Sequence, residues 1–287
     1  MLTLSGTELS KQIKEDIREK IASYVEAGKQ PPCLVTILVG DDPASKVYVA
    51  NKEKACNAVG IKNVTVTYDT NITEDKLLEC IDEFSCDPMV DGILVQLPLP
   101  KHLNQDRILN AIHPRKDVDG FKHKNVAKLW LGQDCIKPCT PQGIIDLLDY
   151  GNIDLRGKHV VVLGRSNIVG LPVAKMCLDR NATVTICHSK TEDLKEVTRT
   201  ADVLIVAIGK PKFINNSHLK PGAVVIDVGI NRDENGKLCG DVDYDSILLK
   251  ASYATPVPGG VGPMTIACLL KNTLKCYEYG YSGKKEY

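Results

Sequence analysis

The sequence predicts an α/β protein of two lobes, each folded around a parallel β-sheet. Three observations carry that prediction. Apolar runs of strand length alternate with stretches of helical spacing along most of the chain. Two runs, 33–39 and 160–163, are apolar almost without interruption, the pattern of strands covered on both faces. Finally, His159–Pro172, HVVVLGRSNIVGLP, reads as a buried strand, a tight glycine turn and the start of an apolar helix. Such a turn collects outward-pointing N–H groups and the positive end of a helix dipole at one place.

Bulk composition removes several function classes. The 287 residues allow one large or two medium domains. Lysine plus arginine balance aspartate plus glutamate at 36 each, so neither nucleic acid nor an anionic membrane is expected as a partner. The 11 cysteines are odd in number and scattered, with no C-x-x-C. Cys135 and Cys139 have no matching pair to close a zinc site. Free thiols in a reducing compartment are expected, with no metal. The start MLTLSGTELSK lacks a basic flank before an apolar core, so no signal peptide is expected. No apolar run approaches the ~18 residues of a membrane span. Together these predict a cytoplasmic protein.

Apolar residues recur at helical spacing from Leu9 to Val25, with Ser5 or Thr7 as cap and Gly28 as stop. Pro31-Pro32 precedes the strand 33–39, and Gly40-Asp41-Asp42-Pro43 turns into a helix over 44–59. On it Tyr48 and Lys52 stand four apart and share a face. Taken alone, such a pair reads as a solvated surface contact. A strand at 64–68 follows, then a helix over 73–84 capped by Thr73, then a strand over 90–97. Two prolines stop that strand just beyond Gln96, at the strand end where open α/β sheets place ligands. After a short helix over 104–112, the charged loop 113–121 carries Asp119, its best candidate for holding a ligand. Residues 125–139 read as a connection.

Thr140 as N-cap and Pro141 at the first helical position open a helix to about Tyr150. The turn after strand 160–163 has the spacing G-x-S-x-x-x-G (Gly164, Ser166, Gly170) where dinucleotide sites usually have G-x-G-x-x-G. By itself it fits either a nucleotide site or a plain strand–turn–helix. Helix 169–179, strand 183–187, helix 191–199, strand 203–207 and strand 223–228 continue the alternation, so the second lobe is Rossmann-like. NAD-preferring sites usually carry an acid at the end of the second strand. Here His188, Ser189 and Lys190 stand there, and Arg165 lies in the glycine turn, a set suited to a 2′-phosphate and hence to NADP. Residues 256–263 are the most glycine-dense segment, a backbone able to approach a flat ligand. Pro263 opens a last helix over 264–279, and the polar tail 282–287 is expected to fray.

Six stretches now line up. Tyr48-Val-Ala-Asn-Lys52, Gln96-Leu-Pro-Leu-Pro100, Lys116-Asp-Val-Asp119-Gly-Phe121, Pro138-Cys-Thr-Pro141, Gly164-Arg-Ser-x-x-Val-Gly170 and Pro256-x-Pro-Gly-Gly-Val-Gly-Pro-Met-Thr265 resemble the methylenetetrahydrofolate dehydrogenase/cyclohydrolase family, in that family's order. The resemblance implies a folate-binding catalytic domain over 1–139, completed by the C-terminal helix (about 264–287). It implies an NADP-binding domain over 140–263, a cleft between the lobes, and a homodimer. The implied chemistry is oxidation of 5,10-methylenetetrahydrofolate with NADP, then hydrolysis of the methenyl product to 10-formyltetrahydrofolate, a one-carbon donor for purine biosynthesis.

Under this reading Lys52 is the base for hydrolysis, Gln96 fixes its rotamer, and Tyr48 contacts the folate. Asp119 accepts from the pterin, with Gly260 and Pro263 also at the substrate. Gly164, Arg165, Ser166, Gly170, His188, Ser189 and Ile230 hold the cofactor. Hydride loss needs positioning and no base. A free lysine titrates near ~10.4, so base duty relies on burial under the folate and on the cation formed by the first step. Two alternatives are a monofunctional dehydrogenase with weak cyclohydrolase activity, NAD- or NADP-linked, and a non-catalytic ligand sensor. No Walker-type motif supports a ligase.

Overall fold

The computed structural model describes residues 1–281; the expectation for the tail 282–287 lies outside the described residues. In chain order the elements are β1 (Leu2–Thr3), α1 (Gly6–Glu26), β2 (Cys33–Val39), α2 (Pro43–Val59), β3 (Lys62–Tyr68), α3 (Glu74–Cys86), β4 (Gly92–Val95), α4 (Gln105–Ala111), α5 (His123–Trp130) and α6 (Cys139–Tyr150). They continue as β5 (His159–Leu163), α7 (Gly170–Leu178), β6 (Thr183–Cys187), α8 (Leu194–Arg199), β7 (Val203–Val206), β8 (Val224–Asp227), β9 (Asn231–Arg232), β10 (Leu238–Cys239), α9 (Tyr244–Ile247), β11 (Tyr253–Ala254) and α10 (Val261–Tyr281).

The chain forms two compact units, one of residues 1–11 with 140–265, the other of residues 12–139 with 266–287. Both are discontinuous in sequence. The first boundary departs from the expected 1–139. β1 pairs in parallel with β11, Leu2 against Tyr253, so the chain start completes the sheet of the other unit.

The unit of residues 12–139 and 266–287 holds a parallel sheet in the order β3-β2-β4. Every residue of β2 is buried, as its unbroken apolar run requires. Alternate side chains divide between two cores. Leu34 and Leu94 pack with Ile17, Ile21, Cys56, Val59 and Leu270 from α1, α2 and α10. Val35, Ile37 and Val39 pack with Leu77, Ile81 and Ile108 from α3 and α4 on the opposite face. The chain moves from β2 to β3 on one side, then to β4 on the other. The C-terminal ends of β2 and β4 therefore flank a topological switch point, where parallel sheets open a crevice.

The other unit has a six-stranded parallel sheet in the order β1-β11-β8-β7-β5-β6. Its switch point lies between β5 and β7, so the glycine turn after β5 sits at the mouth. Val161, Leu163, Leu204, Val206 and Val225 line one buried face of this sheet.

Local sequence explains the ends of elements. Asp42 Oδ2 accepts from the Ser45 N–H at 2.8 Å, Pro43 fills the first turn of α2, and Gly60 closes it in the left-handed region at φ 84°. Thr73 Oγ1 caps α3 by accepting from the Lys76 N–H. Ser5 Oγ accepts from the Glu8 N–H at the start of α1.

Three readings are corrected. Residues 125–139 are not all connection, because α5 occupies their first part. α6 begins at Cys139, one residue early; Thr140 Oγ1 instead bonds Thr265 Oγ1 at 2.9 Å, so its hydroxyl is not the cap. α10 begins at Val261, which puts Pro263 within the first turn, where its missing N–H breaks no helical bond.

Candidate active site

α2 carries a buried stripe of Ser45, Val49, Cys56 and Val59. Lys52 falls on the same stripe, at helical spacing between Val49 and Cys56, and is half-buried. A lysine in an apolar seam must find a partner for its nitrogen. It finds one at the switch point: Nζ donates to Gln96 Oε1 at 3.0 Å. Gln96 follows β4, and its own N–H is held by Ile37 O of β2 at 2.9 Å. Its Nε2 donates to Leu97 O at 2.6 Å, which fixes the amide with its oxygen toward the lysine. Tyr48 stands one turn before Lys52, with 43% of its surface exposed. The structure thus joins Lys52 to Gln96 and leaves the Tyr48 ring open to an incoming molecule.

Asp119 is half-buried in the loop after α4. Burial pushes its carboxyl up to about 6, against the pull of the Lys52 cation and the Cys139 thiol, while Asp117 adds to the rise. Cys139 Sγ donates to Asp119 Oδ1 at 3.7 Å and to Val118 O at 3.4 Å. Asn272 of α10 donates to Val118 O at 2.8 Å and to Lys137 O at 2.9 Å. The loop itself is built around Asp117, which is buried and accepts from the N–H groups of Phe121 and Lys122 and from Asn125 Nδ2. Asp117, Cys139 and Asn272 escaped the sequence reading. Two carboxylates two residues apart in a loop are alike in composition, and only tertiary contacts show which one turns inward.

A second group of residues lies at the C-terminal edge of the six-stranded sheet. Gly164 has φ 123°, and a Cβ there would lie 2.3 Å from Ala207 O, so no other residue fits the turn. Gly170 opens α7. Ser166 Oγ accepts from the N–H groups of Val169 and Gly170, so it shapes the turn with its own oxygen. Arg165 is exposed beside it. β5 and β6 end in register, Leu163 against Cys187, which brings His188 and Ser189 to the same edge. His188 Nδ1 accepts from the Lys190 N–H, so the neutral ring carries its proton on Nε2. Ile230 follows β8 with 52% of its surface exposed.

This donor set fits a phosphorylated dinucleotide. No carboxylate stands at the end of β6, and imidazole, hydroxyl and ammonium groups replace it. Gly260 and Pro263 belong to this unit and not to the one holding Lys52. Gly260 is buried; a Cβ on it would sit 2.5 Å from Pro256 O, and its own oxygen fills the space where a Cβ on Gly6 would go. Its smallness is already required by internal packing. Among the described residues no group of three or more His, Cys, Asp or Glu side chains is placed to hold a metal ion.

Comparison with known proteins bears on both edges. Residues 4–119 match the family model of the tetrahydrofolate dehydrogenase/cyclohydrolase catalytic domain. Residues 138–281 match the NAD(P)-binding domain of the same family. The chain is 54% identical over 272 residues to the bifunctional protein FolD of Agathobacter rectalis, covering 95% of this chain and 97% of that one. The crystal structure of the bifunctional FolD dehydrogenase/cyclohydrolase from Campylobacter jejuni superposes with a TM-score of 0.96 at 50% identity, covering 97% and 99% of the two chains. A Trypanosoma brucei FolD, crystallised with NADP cofactor and inhibitor, gives a TM-score of 0.93 at 36% identity over 99% of each chain.

Proposed function

The chain belongs to the tetrahydrofolate dehydrogenase/cyclohydrolase family, and from that premise we propose how its residues carry the two reactions. The protein oxidises 5,10-methylenetetrahydrofolate to the 5,10-methenyl cation with NADP, and hydrolyses that cation to 10-formyltetrahydrofolate. NADP, when bound, supplies the hydride acceptor. Gly164, Gly170 and Ser166 form the turn that receives its diphosphate. Arg165, His188 and Ser189 take its 2′-phosphate, and Ile230 gives its rings an apolar edge. Asp119 accepts from the pterin N–H groups, and Tyr48 stacks on or hydrogen-bonds the folate.

Oxidation requires donor and acceptor carbons held in contact, and no side chain need remove a proton. Hydrolysis requires one. As water's oxygen bonds to the methenyl carbon, the C=N⁺ electron pair returns to nitrogen and Lys52 Nζ takes one proton of the water, with Gln96 keeping Nζ aimed at it. The bond from that carbon to N5 then breaks, its electron pair and the second water proton go to N5, and the formyl C=O forms on N10.

The observation that carries this reading is the 3.0 Å bond from Lys52 Nζ to Gln96 Oε1 at the mouth of a parallel sheet. A coupled assay tests it by following methenyl product with NADP or NAD, and its hydrolysis with and without Lys52. Lys52→Met is expected to slow hydrolysis about 10²–10⁴-fold while dehydrogenase activity persists. Wild-type hydrolysis in that variant overturns the assignment.

By the same family analogy we assign a homodimer, tested by light scattering, and a cytoplasmic location feeding one-carbon units to purine biosynthesis. No described helix is long and apolar enough to cross a membrane.

A further inference from the structure

Asp241 is completely buried, in the stretch between β10 and α9. Oδ2 accepts from the N–H groups of Ile208 at 2.7 Å and Gly209 at 3.0 Å. Oδ1 accepts from the Lys210 N–H at 2.8 Å and from Asn231 Nδ2 at 2.8 Å. Three successive backbone N–H groups, with Gly209 at φ 63°, make the concave nest that elsewhere in proteins binds a phosphate. Here the nest already holds an anion, and the chain itself provides it.

A second carboxylate holds the first in place. Asp227, the last residue of β8, is 3% exposed and accepts from the N–H groups of Gly229, Asp241 and Val242 at 2.9 to 3.0 Å. The fit leaves no slack: a Cβ on Gly240 would lie 1.8 Å from Asp227 Oδ2.

The position of this pair gives it meaning. The nest is the loop that leaves β7, and Asn231 follows the exposed Ile230 after β8. Both loops stand at the sheet edge that carries the glycine turn. The contact is direct, because Ala207 O, one residue before the nest, is the atom against which Gly164 must pack. We infer that the Asp241 carboxylate is a positioning residue for nucleotide binding. As an internal anion it fixes the loops after β7 and β8, and through them the glycine turn, before the dinucleotide arrives. This rests on the NADP assignment made above.

Asp241→Ala empties the nest. It is expected to raise KM for NADP about tenfold, the scale of losing one or two charge-assisted hydrogen bonds net of solvent. At saturating NADP kcat should stay within about threefold, and NADP-independent hydrolysis of methenyltetrahydrofolate within about twofold. A general structural role would move hydrolysis as well. Because the missing group is a carboxylate in a nest, formate should refill it. High millimolar formate is expected to lower the variant's KM for NADP by about threefold or more and leave wild type unchanged.

An unchanged KM in Asp241→Ala, or a raised KM that formate does not touch, overturns the inference. If that variant fails to fold, Asn231→Ala removes one of the four donors and leaves the carboxylate buried. It must then raise KM for NADP about two- to fivefold, and no change there overturns the inference equally. Should wild type itself show no NADP-dependent oxidation, the nucleotide assignment fails instead, and the two failures are told apart.

Discussion

At the scale of single residues, Asp119 makes the sharpest prediction. Burial raises its carboxyl to about 6, so the group is ionised at neutral pH and gains a proton as pH falls through that value. Only the ionised form offers two acceptor oxygens to paired N–H donors. The KM for methylenetetrahydrofolate is therefore expected to rise as pH drops below about 6, by up to about tenfold per pH unit, and to be flat above it. Asp119→Asn replaces one acceptor oxygen by a donor. Steady-state kinetics should show KM higher by about 10- to 100-fold, with the acid-side rise gone. Persistence of that rise in the amide variant places the titration on another group. The sequence offers Asp119 as a candidate because a glycine turn presents it. Its neighbour Asp117 is not so marked, although it organises the loop, since its donors Phe121, Lys122 and Asn125 gather only after folding.

At the scale of elements, segments with apolar patterning were legible, and several without it were not. β2 and β6 fall on the ranges their apolar runs predict. α5 escaped because it has few apolar repeats. It is anchored by polar bonds, from Asn125 Nδ2 to Pro114 O and Asp117 Oδ2, and no apolar periodicity reports those. β1 and β11, at two residues each, are strands only because they pair with one another and with β8. The end of β6 is where an element decides chemistry. Ser189 is exposed there, and under the proposed cofactor assignment a carboxylate at that position would meet the 2′-phosphate. Ser189→Asp is expected to shift the ratio of kcat/KM for NADP over NAD by about tenfold or more toward NAD. An unchanged ratio would move the phosphate site away from this strand end. Gly164→Ala, which sets a Cβ 2.3 Å from Ala207 O, should lower the Tm and raise KM for NADP together.

At the scale of the whole molecule, the cysteines report on both units at once. All 11 are free, and Cys86, the last residue of α3, is the one exposed to solvent. Burial raises the thiols of Cys56 and Cys177 to about 12, so these are poor nucleophiles as well as hidden ones. Native protein titrated with a thiol reagent is expected to release one equivalent quickly, and 11 after denaturation. Several fast equivalents in the native state would contradict the packing of both cores.

The interleaving of the two units has a consequence for how the molecule is made. Leu2 has no strand to join until Tyr253 exists, and the core around Ile17 and Leu34 waits for Cys268 to Tyr277. At the ~5–20 residues per second of translation, a nascent chain spends roughly 14 to 55 seconds reaching residue 277. Through that interval the core that α10 completes stays open, and β1 waits unpaired until β11 has been made. A message cut short near residue 250 yields no finished half, only material for chaperones and proteases.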